Sequence, residues 1–235
     1  MSKLIRLHYA PDNASGIVRL ALEELGLPYE TVLVDRSQNA QQSTVFRKLN
    51  PAAKIPALET PDGTMFETAA ILLWLADTSG RLAPPVTGPE RTSFLSWLFY
   101  ASNTLHANLR MTFYPQKYVG DMRAPQKALL SGARANVLEG LRLFESNAAT
   151  GQLWFNNPDN LSVLDLYLCP MLRWMALYPK QDTDWFALKD WPNLYDLAKR
   201  IETRPSVHTL CQTEGMAARP FTNPSPPRPF EGVAL

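Results

Sequence analysis

The sequence predicts an α/β unit over the first third of the chain, followed by an all-α unit. Three observations carry that prediction. Before residue 80, short runs of β-type alternation interleave with helical periodicity, whereas beyond residue 90 the apolar spacing is helical almost throughout. RLAPPVTGPE (81–90), between them, has the composition of a linker. The 235 residues suffice for one large domain or two small ones, with a core that needs no disulfide or metal to hold it. The expected division is 1–80, a linker at 81–89, helices over 90–215, and a Pro-rich tail at 216–235.

Each element has a local reason. KLIRLHY (3–9) alternates Leu4, Arg6 and His8 against Ile5, Leu7 and Tyr9, and turn residues Pro11, Asp12 and Asn13 follow it, so it reads as a strand. Ser15 sits where a helix N-cap would, ahead of Val18, Ala21, Leu22 and Leu25 at helical spacing. Gly26-Leu27-Pro28 ends that helix. YETVLV (29–34) is a second strand, residues 35–43 are polar and loop-like, and a short helix is expected at 44–49. Ala57-Leu58-Glu59 and Thr64-Met65-Phe66 read as strands joined by Pro61-Asp62-Gly63, a turn in which Pro presets φ and Gly tolerates a positive one. Thr68 is placed to cap a helix bearing Ile71, Leu72, Trp74 and Leu75. The order is β-α-β-α-β-β-α. Helices are then expected at 90–114, 126–148, 163–178, 193–203 and 206–214, with Pro170 predicting a kink or a boundary in the third. Five of the 20 prolines fall in the final 17 residues, so the tail is expected to be extended or disordered and outside the core, with Phe221 and Phe230 packing it across the surface near the second-substrate site.

Composition excludes several classes of function. With 23 basic and 22 acidic side chains the net charge is +1, which argues against a nucleic acid partner. Two cysteines, Cys169 and Cys211, make neither a disulfide scaffold nor a zinc site, and both fall in structural contexts. Eleven glycines against 20 prolines argue against glycine-rich phosphate loops. No signal-type apolar region opens the chain, and no apolar run is long enough to span a bilayer. The expected setting is soluble, reducing and cytoplasmic, with no membrane partner.

Three local features could carry chemistry. Ile55-Pro56 at a strand start is either an ordinary trans proline or a cis edge whose Ile55 backbone could receive an extended peptide. Glu67-Thr68 at a helix start could read an ammonium and a carboxylate together, or could be no more than a cap with a favourable first-turn charge. Ser15 could donate to an anion at a helix N-terminus, or be a plain cap.

The order and spacing of YAPDNASGIVRLALEELGLPYE, NPAAKIPAL, FETAAILLWLAD, SVLD (162–165) and TRPSV (203–207) resemble the cytosolic glutathione transferases, from about Leu4 to about Leu210. The resemblance implies a thioredoxin-like N-terminal domain, an all-helical C-terminal domain and a homodimer. It also implies a cis Pro56, with the Ile55 backbone pairing the cysteinyl part of glutathione. Glu67 and Thr68 would hold the γ-glutamyl head, Lys54 would lie near the glycyl end, and Asp165 would cap the central helix of the second domain. Glutathione would be a co-substrate, with no metal needed.

The residue facing the glutathione sulfur varies among the family's classes. Ser15 resembles the serine of the theta class and is preferred, because its helix-start placement adds the dipole. Tyr9, at the end of the first strand, and Asn13, through its amide, are the other candidates. Ala14 stands where the beta class carries a cysteine, which argues against disulfide-exchange chemistry. The thiolate is the nucleophile, and a free thiol with pKa ~8.5 is mostly protonated at neutral pH. One charge-assisted hydrogen bond of ~1.5–3 kcal/mol is enough to lower it usefully. SFLSWLFYASNTLHANLRMTFYP (93–115) is rich in aromatic residues, and His106 and Arg110 lie one helical turn apart on it. His106, Arg110 and Tyr114 are the candidate second-substrate residues. The expected activity is conjugation of glutathione to a small apolar electrophile, as in detoxification. A ligand carrier on the same fold with little turnover is the alternative, and a glutathione-dependent isomerase or dehalogenase is a third reading.

Overall fold

The computed structural model describes residues 4–234, so Lys3, in the expected first strand, lies outside the described residues. Strand β1 (Ile5–Tyr9) lies inside a four-stranded sheet of order β2-β1-β3-β4. β2 (Tyr29–Leu33) pairs with β1 in parallel, in a register running from Ile5↔Tyr29 to Tyr9↔Leu33. β3 (Ala57–Thr60) pairs antiparallel with β1 through Leu7↔Leu58, and β4 (Gly63–Phe66) closes the outer edge against β3. This is the thioredoxin-like arrangement, with helices α1 (Ser15–Leu25), α2 (Thr44–Leu49) and α3 (Thr68–Ser79).

α1 is the hinge of the whole packing. Its sequence SGIVRLALEEL is buried on nearly every side, because it meets the sheet layer and α3 as well as helices of the second half. Leu7, Ile17, Leu20, Leu22, Leu58 and Leu72 are fully buried in one cluster that continues into the helical half. A smaller cluster of Val34, Phe46 and Ala57 forms under α2. Gly26, at φ 66, ends α1 as the sequence predicts.

The second half starts with a long rod made of α4 (Arg91–Tyr100), a π-helical stretch (Ala101–His106) and α5 (Ala107–Phe113). After it come α6 (Gln116–Val119), α7 (Arg123–Ala148), α8 (Val163–Leu177), α9 (Pro192–Glu202) and α10 (Pro205–Glu214). α8 is the central helix, buried continuously from Val163 to Met175. It runs through Pro170 without ending, since packing on all sides outweighs one missing backbone hydrogen bond. A capping box starts it: the Ser162 hydroxyl accepts the Leu164 N–H at 3.1 Å, and Asp165 accepts the Ser162 N–H at 2.9 Å. Burial raises the Asp165 pKa to about 6, against backbone N–H donors from Asn156 and Ser162 that favour the carboxylate.

The tail corrects an expectation. It has no regular secondary structure, but it is pinned to the core. Phe221 is 1% exposed, and its N–H and that of Thr222 donate to the Glu202 carboxylate at 2.7 and 2.6 Å. Arg173 donates to the carbonyls of Pro220 and Ser225. The Arg228 N–H donates to the Gly215 carbonyl at 2.8 Å, and a Cβ at Gly215 would lie 2.0 Å from the Arg228 carbonyl oxygen, so only glycine admits this crossing. Phe230, grouped in the sequence with Phe221, is 88% exposed. Local composition marks the missing helix and strand correctly; the anchoring comes from distant buried charges that composition does not show.

Candidate active site

A cavity of about 440 Å³ opens between the sheet layer and the helical half. One face is built from backbone turns. Asn13 and Ala14 come from the start of α1, Lys54, Ile55 and Pro56 from the loop before β3, and Glu67 and Thr68 from the start of α3. Asn50 shapes the middle loop: its Nδ2 donates to the Lys54 carbonyl at 2.6 Å, and its Oδ1 accepts the Ala52 N–H at 3.0 Å. The Ile55–Pro56 bond is cis, and the β3 register begins one residue later at Ala57. Glu67 has φ 69, in the left-handed region that side chains disfavour, and it places Thr68 buried at the first turn of α3. No side chain caps α1 or α3; at α1 the Gly16 and Ile17 N–H groups donate to the Asn13 and Ala14 carbonyls (2.8 and 3.2 Å), and both helix starts turn the positive end of their dipole toward the cavity.

The segment carrying Asn13 is held by a buried network. Asp12, at φ 47, accepts Arg173 Nε and Nη2 (both 2.9 Å), Trp174 Nε1 (2.9 Å) and the Tyr178 hydroxyl (2.7 Å). The Asp12 N–H donates to Glu214, which also pairs with Arg19. Burial raises the Glu214 pKa to about 7, partly opposed by Arg19.

The opposite face is made of side chains. Ser102 and His106 project from the π-helical stretch, Arg110 and Tyr114 from α5 and its end, Lys117 and Tyr118 from α6, and Tyr167 and Trp174 from α8 behind them. A π-helical stretch shifts the face that the following residues present, as is often seen at functional sites. The His106 Nδ1 is 3.0 Å from the Tyr167 hydroxyl, and its ring packs against Trp174 at 5.7 Å. Desolvation lowers the His106 pKa to about 4, with Arg110 and Lys54 adding to the effect, so the ring is neutral at pH 7.

Comparison with known proteins agrees with this geometry. A family profile described as Glutathione S-transferase, N-terminal domain, matches residues 15–78. The chain is 29% identical over 213 residues to the disulfide-bond oxidoreductase YfcG of Escherichia coli K12, covering 87% of this chain and 93% of that one. It is 26% identical over 219 residues to glutathione S-transferase GstA of Escherichia coli O157:H7, covering 90% and 100%. Among solved structures, a sphingomonad glutathione S-transferase complexed with glutathione matches at 29% identity and a TM-score of 0.72, over 90% of this chain and all of that one. The chain is similar to glutathione transferases over most of its length, and residues 15–78 match the N-terminal domain of that family.

The cavity brings together most of the residues singled out in the sequence: Asn13, Lys54, Ile55, Pro56, Glu67, Thr68, His106, Arg110 and Tyr114. Ser15 and Tyr9 are not among its lining residues. Ser15 is the first residue of α1 and not its cap, fully buried, with its hydroxyl donating to the Ala10 carbonyl (3.0 Å) and accepting the Ala10 N–H (3.2 Å). Ala14 holds the cap position, so the Ser15 hydroxyl closes the preceding turn onto Ala10 instead of facing out. The Tyr9 hydroxyl donates to Glu231 of the tail. Desolvation and that carboxylate push its pKa well up, so Tyr9 stays protonated.

Sequence reasoning missed Asp12, Arg36, Asn50, Lys117, Tyr167 and Trp174. Asp12 reads as one more turn former, and its positive φ is the only local trace of its role. Arg36 lies in a 3₁₀ turn after β2 and donates Nη2 to the Tyr114 hydroxyl at 2.8 Å across the cavity, a pairing with no signal in local sequence.

Proposed function

We propose that the cavity binds glutathione and activates its thiol for attack on an electrophile. One observation carries the reading: the starts of α1 and α3, both without a side-chain cap, converge with the Lys54-Ile55-Pro56 segment on one cavity. Thr68 and the α3 start receive the γ-glutamyl carboxylate, Glu67 its ammonium, the Ile55 backbone the cysteinyl amide, and Lys54 the glycyl carboxylate. The sulfur then lies by Asn13 and Ala14. Asn13 Oδ1 is buried without a partner, so its carboxamide is free to turn and present N–H to the thiolate. This moves the role from Ser15 and Tyr9 to Asn13, assisted by the α1 dipole. Glutathione is the co-substrate, no metal is required, and the protein works as a homodimer in a reducing, cytoplasmic setting, where Cys169 and Cys211 stay free thiols.

Calorimetry with glutathione tests the core of the reading: measurable heat and a raised melting temperature are expected, and neither at millimolar glutathione overturns it. Light scattering tests the dimer. A second reading, a glutathione-binding carrier with little turnover, is favoured by the commitment of both the Ser15 and Tyr9 hydroxyls elsewhere. A panel of electrophiles separates the two, since a carrier binds glutathione and conjugates nothing.

A further inference from the structure

We infer that the helical face of the cavity is built for an electrophile that carries a carboxylate, taken by Arg110, Lys117 and Arg36. The inference rests on the glutathione reading above and changes the substrate class from neutral and apolar to anionic.

Charge is the first argument. The lining residues include four cations, Arg36, Lys54, Arg110 and Lys117, and among the described residues one carboxylate, Glu67. None of the ion pairs found among the described residues uses any of these four cations. Bound glutathione accounts for part of this excess. Its ammonium meets Glu67, one carboxylate meets the α3 start, the other meets Lys54, and its thiolate meets the α1 start. Arg36, Arg110 and Lys117 remain, and a neutral second substrate would leave all three without a counter-ion.

Placement is the second argument. The three cations gather around one ring. The Lys117 ammonium is 4.3 Å and the Arg110 guanidinium 5.5 Å from the Tyr114 ring centroid, while Arg36 donates to the Tyr114 hydroxyl. Arg36 Nη1 is buried without a partner. Like charges so close repel: burial lowers the Lys117 pKa first, and the positive charges of Arg110 and Arg36 lower it further. An anion among them satisfies the orphaned Arg36 nitrogen and relieves the repulsion in one step.

Shape is the third argument. Tyr114, Tyr118, Phe113, His106 and Trp174 surround these charges, and His106, neutral at pH 7, adds nothing to them. Flat aromatic walls with a cationic end suit a planar, unsaturated carboxylate. An aryl chloride shows the balance of the step. The glutathione thiol first gives its proton to solvent, the thiolate forms the C–S bond, and the C–Cl bond breaks with chloride leaving on the bonding pair.

Binding of unreactive probes tests the inference without needing turnover. The full chain is saturated with S-methylglutathione and titrated with 3-nitrobenzoate or with 3-nitrobenzamide. The benzoate is expected to bind about tenfold tighter or more, the difference made by one charge-assisted hydrogen bond. In Arg110→Met and Lys117→Met that preference shrinks toward equality, while affinity for the amide and for S-methylglutathione stays within about threefold, which also shows that the variants fold. Equal binding of the two probes, weak binding of both, or a preference unchanged in both variants overturns the inference. S-methylglutathione failing to bind the wild type overturns the glutathione reading itself, a result distinct from the other three.

Discussion

The two faces of the cavity are made of different materials. The sheet-side face offers mainly backbone: two helix starts and a loop held by Asn50, with the side chains of Asn13, Lys54, Glu67 and Thr68 set on them. The helix-side face offers the ends of long side chains from α5, α6 and α8, with Arg36 reaching across to join them. Backbone recognition is fixed once the fold forms and changes little with sequence. Side-chain recognition is set residue by residue. One face is therefore suited to an invariant ligand and the other to a ligand that can differ between relatives of one fold.

Substitutions can break this division, and the largest effect lies beneath the backbone face. Asp12→Ala leaves the buried Arg173 guanidinium without its carboxylate and removes the partner of Trp174 and Tyr178. A loss of about 3–5 kcal/mol in denaturant unfolding is expected, with weaker glutathione binding because Asn13 loses its support. Unchanged stability would show that Asp12 does not organise this face. Thr68→Val keeps shape and removes one hydroxyl. Glutathione affinity should fall about tenfold, about 1.4 kcal/mol, with folding stability nearly unaltered. A loss shared by the benzoate probe would mean that the two faces are not separate.

A smaller effect separates the candidates for the sulfur. Asn13→Ala should raise the thiol pKa of bound glutathione by about half a unit to one unit, about 0.7–1.4 kcal/mol, read from thiolate absorbance against pH. Ser15→Ala should leave that pKa in place and instead weaken the turn at Ala10. The reverse pattern would return the role to Ser15. The smallest effect concerns His106 on the side-chain face. Its folded pKa, about 4, lies below the ordinary value near 6.5, so the unfolded chain binds the extra proton first. Relative to His106→Phe, the wild type should lose stability as pH falls from about 6.5 toward 4 and show no difference in slope above that. The His106 ring resonances should stay fixed from pH 8 down to 5. A midpoint near 6.5 would place the ring in water.

The same contrast explains what could be read in the sequence. The order of the strands and longer helices was legible to within about three residues, though not α6, the 3₁₀ turns after β2 or the π-helical stretch, because Gly26, the Pro61-Asp62-Gly63 turn and Ser162 with Asp165 act locally. Lys54, Ile55, Pro56, Glu67 and Thr68 were singled out by their order and spacing along the chain, since each alone reads equally well as a strand-starting proline, a cap or a first-turn charge; the fold brings them to one cavity. Ser15 was misplaced by a local cue, since a hydroxyl near a helix start reads alike whether it faces a ligand or closes its own turn. Arg36, Lys117 and Trp174 were not legible. They become a site only when β2, α6 and α8 are packed together, and nothing near each one in sequence records the others. The tail misled in the same manner, because its anchors, Glu202, Arg173 and Gly215, lie outside it.

The tail anchors also set an order of events during synthesis. Tyr9 leaves the ribosome 222 residues before its partner Glu231 exists, and Arg173 waits 52 residues for the carbonyl of Ser225. The sheet can form early, but the Asp12–Arg173 assembly that steadies Asn13 acquires its outer braces only after Pro220 and Ser225 have emerged. A nascent chain halted before Phe221 would hold both cavity faces and the Asp12–Arg173 pair between them, but not the Ser225 carbonyl on Arg173 or the Glu231 carboxylate on Tyr9.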